Sequence, residues 1–220
     1  MNSTQRLLAI VLVGAVALAL VQLLAHDRLR PDGRLTTSDG DTVDISGAAR
    51  AASLRFGADV APADRDWILA AIARARPEAA RLIGEVDGLV QVGTAVSDGA
   101  LGITRSRPHG FTVGLDVARL DSDRVMDRAT VVLHELGHVI DFALVPAAVN
   151  EALDAQIPRG GPCGPVIDCD RAEERFADTF AKWALNGAVS QVGAGYGIAM
   201  PASLEGWGVP LAQLSFRLPG

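Results

Sequence analysis

The chain has 220 residues, of which 49% are hydrophobic, and its formal net charge is −6. This acidic balance does not indicate a nucleic-acid partner, because surfaces that bind nucleic acid cluster lysine and arginine. Beyond an apolar N-terminal segment the composition is uniform and no internal repeat is visible, so roughly 190 residues remain for one domain with its own core.

The first predicted element is the apolar segment Leu7–Ala25, which carries no charged residue. Its length approaches the roughly 20 residues that span a bilayer. We interpret residues 1–26 as a signal anchor that attaches the protein to a membrane. The alternative is a cleaved signal peptide, with Ala17-Leu18-Ala19 as the small-residue cleavage site. Three arginines within residues 28–34 follow the apolar segment, and because cationic flanks tend to stay in the cytoplasm, they argue against export of the rest of the chain. The two cysteines described below argue for export.

Residues 27–50 are predicted to form a polar juxtamembrane linker that precedes a domain at residues 51–220. Within the linker, Thr36–Val43 resembles a small hairpin that turns at Asp39-Gly40.

The next segment combines strand and helix signals. Ser53–Val60 is predicted as a strand, and Pro62 marks the start of a helix with apolar residues at helical spacing. Pro77 restarts the helix and Gly84 is predicted to end it. Three apolar stretches then predict a small sheet: Gly88–Val96, Leu101–Arg105 and Phe111–Asp116.

A long helix is predicted from Asp123 to Leu144, with Asp121-Ser122-Asp123 as its cap, and it contains His134-Glu135-Leu136-Gly137-His138. Residues four apart on a helix lie about 40° apart around the axis, so both imidazoles can bind one ion. Glu135 lies about 100° from His134 and can reach a water molecule on that ion without binding it. The pattern therefore predicts a zinc site with its own general base.

Two neighbouring residues complete this prediction. Asp141 shares the helix face of the histidines, where it either hydrogen-bonds a ligand ring or pairs at the surface. Gly137 destabilises a helix interior by roughly 1 kcal/mol relative to alanine, so close packing of a second helix is its expected purpose.

A turn-rich loop carries the only two cysteines, Cys163 and Cys169. Their spacing predicts a short disulfide and hence an oxidising, extracytoplasmic compartment. The alternative is a second metal site, for which a further cysteine or histidine nearby is missing.

A hydrolytic zinc site needs a third protein ligand. Of the two other histidines, one adjoins the apolar segment and His109 lies in a predicted surface turn, so a carboxylate is expected. A predicted helix at 172–181 places Glu174 and Asp178 four apart, so that one can bind the metal and the other can accept the ring N–H of a ligating histidine. Glu151 and Glu173 are alternative ligands.

After Asn186 the pattern changes. From Gly187 onward glycine and proline are frequent, which predicts loops that wrap the core rather than long regular elements.

The motif His134-Glu135-x-x-His138 followed by Glu174-x-x-x-Asp178 resembles the gluzincin, or thermolysin-like, zinc peptidases, over about Phe111 to Lys182. The resemblance implies that Zn²⁺ is held by the two histidines and Glu174, that Asp178 orients a histidine, and that an edge strand holds substrate. The long interval between His138 and Glu174 keeps the alternative ligands open.

The same resemblance implies a late residue that stabilises the transition state. No histidine follows His138, and the only tyrosine, Tyr196, is the candidate. The metzincin pattern is not met, because Asp141 and Leu144 stand where that pattern has glycine and histidine.

Together these features predict an α+β fold of minimal zincin-like form: a small N-terminal sheet with a helix, the zinc-motif helix, and a second ligand-bearing helix. The expected function is zinc-dependent hydrolysis of protein or peptide substrates by an endopeptidase outside the cytoplasm, membrane-anchored or, after cleavage of the first segment, secreted. The alternative is a zinc-binding module of the same type with a binding or regulatory role and little turnover. The sequence does not indicate the oligomeric state.

Overall fold

The computed structural model describes residues 34–36, 42–44, 54–96, 99–122, 127–159, 171–187 and 197–218. The N-terminal apolar segment, the loop with Cys163 and Cys169, and Tyr196 lie outside these ranges, together with the predictions made for them. No helix within the described ranges combines the length and apolar character needed to cross a bilayer.

The described part of the chain has a mixed α+β architecture, which confirms the predicted fold class at that level. Its helices are α1 (Pro62–Ala73), α2 (Pro77–Val86), α3 (Val117–Ser122), α4 (Arg128–Leu144), α5 (Ala147–Asp154), α6 (Ala172–Ala184) and α7 (Leu204–Arg217). Its strands are β1 (Arg34–Thr36), β2 (Thr42–Asp44), β3 (Arg55–Phe56), β4 (Val90–Gly93), β5 (Gly102–Arg107) and β6 (Gly110–Leu115).

The hairpin predicted around Asp39-Gly40 is confirmed in its strands. β1 and β2 pair antiparallel, with Leu35 opposite Val43.

A four-stranded sheet with the order β3-β4-β6-β5 lies ahead of the motif helix in the chain. β3, β4 and β6 run parallel, whereas β5 pairs antiparallel with β6 and forms an edge of the sheet. The three strand predictions before the motif helix are confirmed with somewhat different bounds. The strand predicted at Ser53–Val60 is reduced to Arg55–Phe56.

Two predicted helix boundaries were wrong. Gly84 does not end α2, because it lies on an exposed face while Leu82, Ile83 and Val86 are buried and continue the helix. The motif helix begins at Arg128 rather than Asp123, since residues 121–122 belong to α3. Its predicted end at Leu144 is confirmed.

The prediction of loops beyond Gly187 was wrong for α7, a helix of 14 residues that includes Gly206, Gly208 and Pro210. Ser203 caps its first turn by accepting a hydrogen bond from the Gly206 N–H at 2.9 Å. Trp207, Leu211 and Leu214 are buried. Burial of this apolar face outweighs the low helix propensity of the glycines and proline.

α4 forms the centre of the core. Every residue from Ala129 to Phe142 is buried, which is unusual for a helix that carries two histidines and two carboxylates. Phe111 of β6 stacks on Phe142 at 6.4 Å between ring centroids, and α6 packs against the same helix where it carries Gly137. The motif side chains are thereby enclosed between the sheet and α6.

Candidate metal centre

Three side chains converge between α4 and α6. The Nε2 atoms of His134 and His138 lie 3.1 Å apart. Glu174 Oε2 lies 3.2 Å from Nε2 of His134, and its Oε1 lies 3.7 Å from Nε2 of His138. The two rings are nearly perpendicular, at 84°. This group can hold a metal ion.

The spacing of these donor atoms suits a small divalent cation. Ligand atoms about 2.0–2.2 Å from a tetrahedral ion lie about 3.3–3.6 Å from one another. The separation of 3.1 Å between the two Nε2 atoms and that of 3.2 Å between His134 Nε2 and Glu174 Oε2 are close to that range. One ligand atom from each of the three residues lies within 4.8 Å of the other two. Two imidazoles and one carboxylate are also a donor set that such cations bind.

Both histidines are held in the neutral form that binds metals. Burial lowers the pKa of His134 to about 4, although the charge of Asp178 acts in the opposite direction. Burial also lowers the pKa of His138 to about 3, and the neighbouring His134 adds to this effect. Neither ring therefore has to lose a proton at neutral pH before it binds a cation.

Glu135, one residue after the first histidine, is only 3% exposed. Burial raises its pKa to about 8, a hydrogen bond from Thr104 opposes this rise, and the charge of Glu174 adds to it. Thr104 Oγ1 lies 2.8 Å from Glu135 Oε2. Gly102 makes room for the carboxylate, because a Cβ at Gly102 would lie 2.6 Å from the Cγ of Glu135.

The carboxylate that joins the histidines is Glu174 and not either alternative. Glu173 forms an ion pair with Arg171. Glu151 is exposed on α5. Glu174 reaches the histidines because α4 and α6 approach closely: a Cβ at Gly137 would lie 3.0 Å from the Cα of Ala177. This confirms the close packing expected at Gly137.

Asp178, expected to accept the ring N–H of a ligating histidine, is fully buried on α6, and its negative charge opposes the larger effect of burial on the pKa of His134. The expected hydrogen bond to Nδ1 of a ligand ring is not formed, because the Nδ1 atoms of His134 and His138 have no hydrogen-bond partner among the described residues. Asp178 accepts a hydrogen bond from Lys182, which is itself only 7% exposed. Sequence reasoning missed Lys182, although its spacing of four residues from Asp178 was a visible signal.

Asp141 is buried, so the alternative of surface pairing was wrong. It accepts a hydrogen bond from Asn150 Nδ2 at 2.5 Å. The Nδ1 atom of His138 has no hydrogen-bond partner among the described residues, so Asp141 does not bond that ring. His109 is exposed in the turn between β5 and β6, as expected for a surface histidine.

Thr104 and Gly102 were also missed. Both lie on β5, two residues apart and hence on one face of the strand. That face lies against α4 because β5 pairs with β6 in one particular register. No local pattern in the sequence gives that register.

Comparison of the chain with protein-family models, with curated proteins and with solved structures finds no match.

Proposed function

We propose that this protein is a zinc peptidase of the gluzincin type, with a minimal zincin-like domain, that hydrolyses protein or peptide substrates outside the cytoplasm. The observation that carries the proposal is the convergence of His134, His138 and Glu174 beside the buried carboxylate of Glu135.

Zinc is the metal that best suits this set of groups. Two imidazoles and a carboxylate also suit ferrous iron in oxygen-activating enzymes. A carboxylate one residue after the first ligand is not needed for that chemistry, but hydrolysis does need a base beside the metal. Glu135 supplies that base, so the arrangement favours zinc.

Zinc bound by the three side chains would supply Lewis acidity that activates water at neutral pH and polarises a substrate carbonyl. Glu135 then takes the proton of the attacking water and passes it to the leaving amine. Without a metal ion, burial raises the pKa of Glu135 to about 8, and a bound divalent cation would favour the ionised carboxylate, which is the form that accepts a proton. Thr104 fixes the direction of this carboxylate.

The position of β5 supports a peptide substrate. β5 is an edge strand of the sheet, and its residues Gly102 and Thr104 contact Glu135. An extended peptide can pair with a free strand edge through main-chain hydrogen bonds. A peptide so paired would lie beside the base and the ligands.

A second candidate is a zinc-binding module with a binding or regulatory role and little turnover. Its support is the strong burial of the site, since His134 is 2% and Glu135 3% exposed. The Glu174 side chain is the most exposed of the three ligands, at 21%, and any substrate has to approach near it.

Metal content and peptide cleavage of the purified full-length protein test the proposal. We expect one zinc per chain, lost in Glu174→Ala and retained in the matched variants Glu173→Ala and Glu151→Ala. Glu135→Gln should keep zinc and lose cleavage of an unstructured protein substrate such as casein. Stoichiometric zinc without cleavage would favour the second candidate, whereas bound iron or no metal would exclude the peptidase.

The extracytoplasmic location is proposed from the apolar N-terminal segment and the cysteine pair. Mass spectrometry of the unreduced protein isolated from cells should find Cys163 and Cys169 joined. Two free thiols in protein alkylated before lysis would argue against export.

A further inference from the structure

The ring of His138 is stacked on an aromatic side chain one helical turn further along α4. The ring centroids of His138 and Phe142 lie 5.9 Å apart, and the ring planes differ by only 22°. Residues four apart lie on the same face of a helix, so their spacing in the sequence places the two rings together. Such an offset stack is a favoured arrangement of two rings.

The ring contacts continue into the sheet. Phe111 of β6 stacks on Phe142, with ring centroids 6.4 Å apart and planes 25° apart. Phe111 is 2% and Phe142 6% exposed, so both rings are held in the core. β6 lies between β4 and β5 and is paired on both sides. A series of three rings therefore connects a metal ligand to an interior strand of the sheet.

The two ring nitrogens of His138 have different surroundings. Its Nε2 lies 3.1 Å from Nε2 of His134, on the side where the ligand atoms converge. Its Nδ1 is buried and has no hydrogen-bond partner among the described residues. A hydrogen bond at this second nitrogen commonly fixes the orientation of a histidine ligand. For His138, contact with a neighbouring ring can fix the orientation instead.

The two ligand rings lie in different planes. The rings of His134 and His138 are nearly perpendicular, at 84°, with centroids 4.8 Å apart. Rotation of His138 about its Cβ–Cγ bond would break the near-parallel stack on Phe142. The same rotation would move Nε2 of His138 away from the point where it meets Glu174. The stack therefore holds the donor atom of His138 in the position that a cation requires.

We propose that Phe142 is a positioning residue of the metal centre: its ring fixes the plane of the His138 imidazole, and Phe111 supports Phe142 from the sheet. The inference rests on the proposed function only in that the site holds a metal. A ligand that is oriented in advance binds more tightly, because less conformational freedom is lost on binding. Zinc affinity therefore depends on an aromatic ring at position 142 and not only on an apolar side chain there.

The test measures the zinc affinity of full-length variants by competition with a chelating dye and records the visible absorption spectrum of the cobalt(II)-substituted protein. Phe142→Leu keeps an apolar side chain but removes the ring. It should weaken zinc binding by about 2- to 10-fold, the range that an aromatic pair contributes, and shift the cobalt bands. Phe142→Tyr keeps the ring and should retain both wild-type properties.

A second variant removes the support of the stack and leaves the ring that contacts His138. Phe111→Leu should change zinc affinity and the cobalt spectrum in the same direction as Phe142→Leu, but by less. It keeps the inference testable if Phe142→Leu does not fold.

A matched control comes from a second stack of the same kind. Phe176 and Phe180, four residues apart on α6, have ring centroids 6.3 Å apart and planes 11° apart, and Phe176 is 1% exposed. Phe176→Leu is thus the same substitution in another buried stack. Thermal unfolding should show a loss of stability in both Phe142→Leu and Phe176→Leu. Only Phe142→Leu should change zinc affinity and the cobalt spectrum.

The outcomes separate this inference from the proposed function. If Phe142→Leu and Phe111→Leu bind zinc like the wild type and keep its cobalt spectrum, the stack is structural and the inference is wrong. It is also wrong if Phe142→Tyr or Phe176→Leu changes both properties as much as Phe142→Leu does. If the variants behave as expected but the wild type cleaves no peptide, the peptidase proposal fails while the role of Phe142 stands. If the wild type binds neither zinc nor cobalt, both fail.

Discussion

Oγ1 of Thr104 lies 2.8 Å from Oε2 of Glu135 and 3.0 Å from the main-chain oxygen of the same residue. A hydroxyl has one hydrogen and can also accept. When Glu135 is ionised, Thr104 donates to the carboxylate. When Glu135 is protonated, its carboxyl group can donate to Thr104, whose own hydrogen then turns to the main-chain oxygen. Thr104 can therefore hydrogen-bond the Glu135 carboxyl group in both of its protonation states. A general base that takes up a proton and then returns it requires such a partner.

Thr104→Val should therefore slow peptide hydrolysis while zinc stays bound. Valine keeps the shape of threonine but neither donates nor accepts, and a hydrogen bond to a charged group contributes about 1.5–3 kcal/mol. We expect kcat to fall about 10- to 100-fold, since 1.4 kcal/mol corresponds to a factor of ten. Steady-state kinetics with metal analysis checks this, and Thr104→Ser should stay near the wild type. An unchanged kcat in Thr104→Val would show that the hydroxyl does not support the base.

The contrast between His138 and Thr104 shows what the sequence could and could not predict. His134, Glu135 and His138 lie on one helix, so their relative placement follows from helix geometry alone. Elimination of the other histidines predicted only that a carboxylate completes the site, and the choice of Glu174 over Glu151 and Glu173 came from its spacing to Asp178 and from the resemblance to the gluzincins. Thr104 reaches Glu135 through the register of β5 on β6, and sheet register depends on contacts between residues that are distant in sequence.

α7 shows the same limit for the fold. Its glycines and proline predict loops when they are considered locally. The helix is stabilised by burial of Trp207, whose ring lies 5.6 Å from that of Phe176 on α6 and whose Nε1 donates to the main-chain oxygen of Leu153 at 3.2 Å. Phe176 and Leu153 are distant from Trp207 in sequence, so these contacts cannot be read from the local pattern. Tertiary packing therefore stabilises α7 as a helix although its residues have low helix propensity.

Gly137→Ala should destabilise the protein and weaken metal binding. The added Cβ would lie 3.0 Å from the Cα and 3.2 Å from the main-chain oxygen of Ala177, and main chain cannot move aside as a flexible side chain does. Overpacking of this kind costs about 1–3 kcal/mol. It also pushes α6, and with it Glu174, away from the histidines. Thermal unfolding and zinc competition measure both effects.

The matched control for Gly137 is Gly84→Ala on α2. Nothing lies within 4 Å of a Cβ at that position. The substitution should therefore stabilise the protein by up to about 1 kcal/mol through helix propensity. Equal behaviour of the two variants would contradict the view that Gly137 sets the distance between α4 and α6.

Gly208→Ala should loosen the packing of α7. A Cβ at Gly208 would overlap the Trp183 indole ring. That ring is 1% exposed and has the Arg76 guanidinium over it at 4.8 Å from the ring centroid, so it has little space to move. We expect a loss of about 1–3 kcal/mol in the free energy of unfolding, measured by urea denaturation. Val209→Ala, at a neighbouring side chain that is 48% exposed, should change it by less than about 0.5 kcal/mol. A large effect at Val209 together with none at Gly208 would contradict this packing.

The metal-free protein should be most stable near pH 6.5. The folded-state pKa values of His134 and His138, about 4 and 3, lie below the ordinary value of 6.5, so the unfolded chain binds more protons and stability falls as the pH decreases below 6.5. Glu135 acts in the opposite sense. Its pKa is raised from 4.5 to about 8, so the folded state holds the extra proton and stability falls as the pH rises through that interval.

Between pH 4.5 and 6.5 the two histidines outweigh the single glutamate, and above pH 6.5 the glutamate outweighs the remaining titration of the unfolded histidines, which places the maximum near pH 6.5. Urea denaturation of the metal-free protein across this range measures the curve. Metal-free Glu135→Gln lacks the titrating carboxyl, so its stability should rise slightly above pH 6.5 and then stay level to pH 8, while the decrease on the acid side remains. If the free energy of unfolding of this variant still decreased above pH 6.5, a group other than Glu135 would cause the loss of stability at alkaline pH.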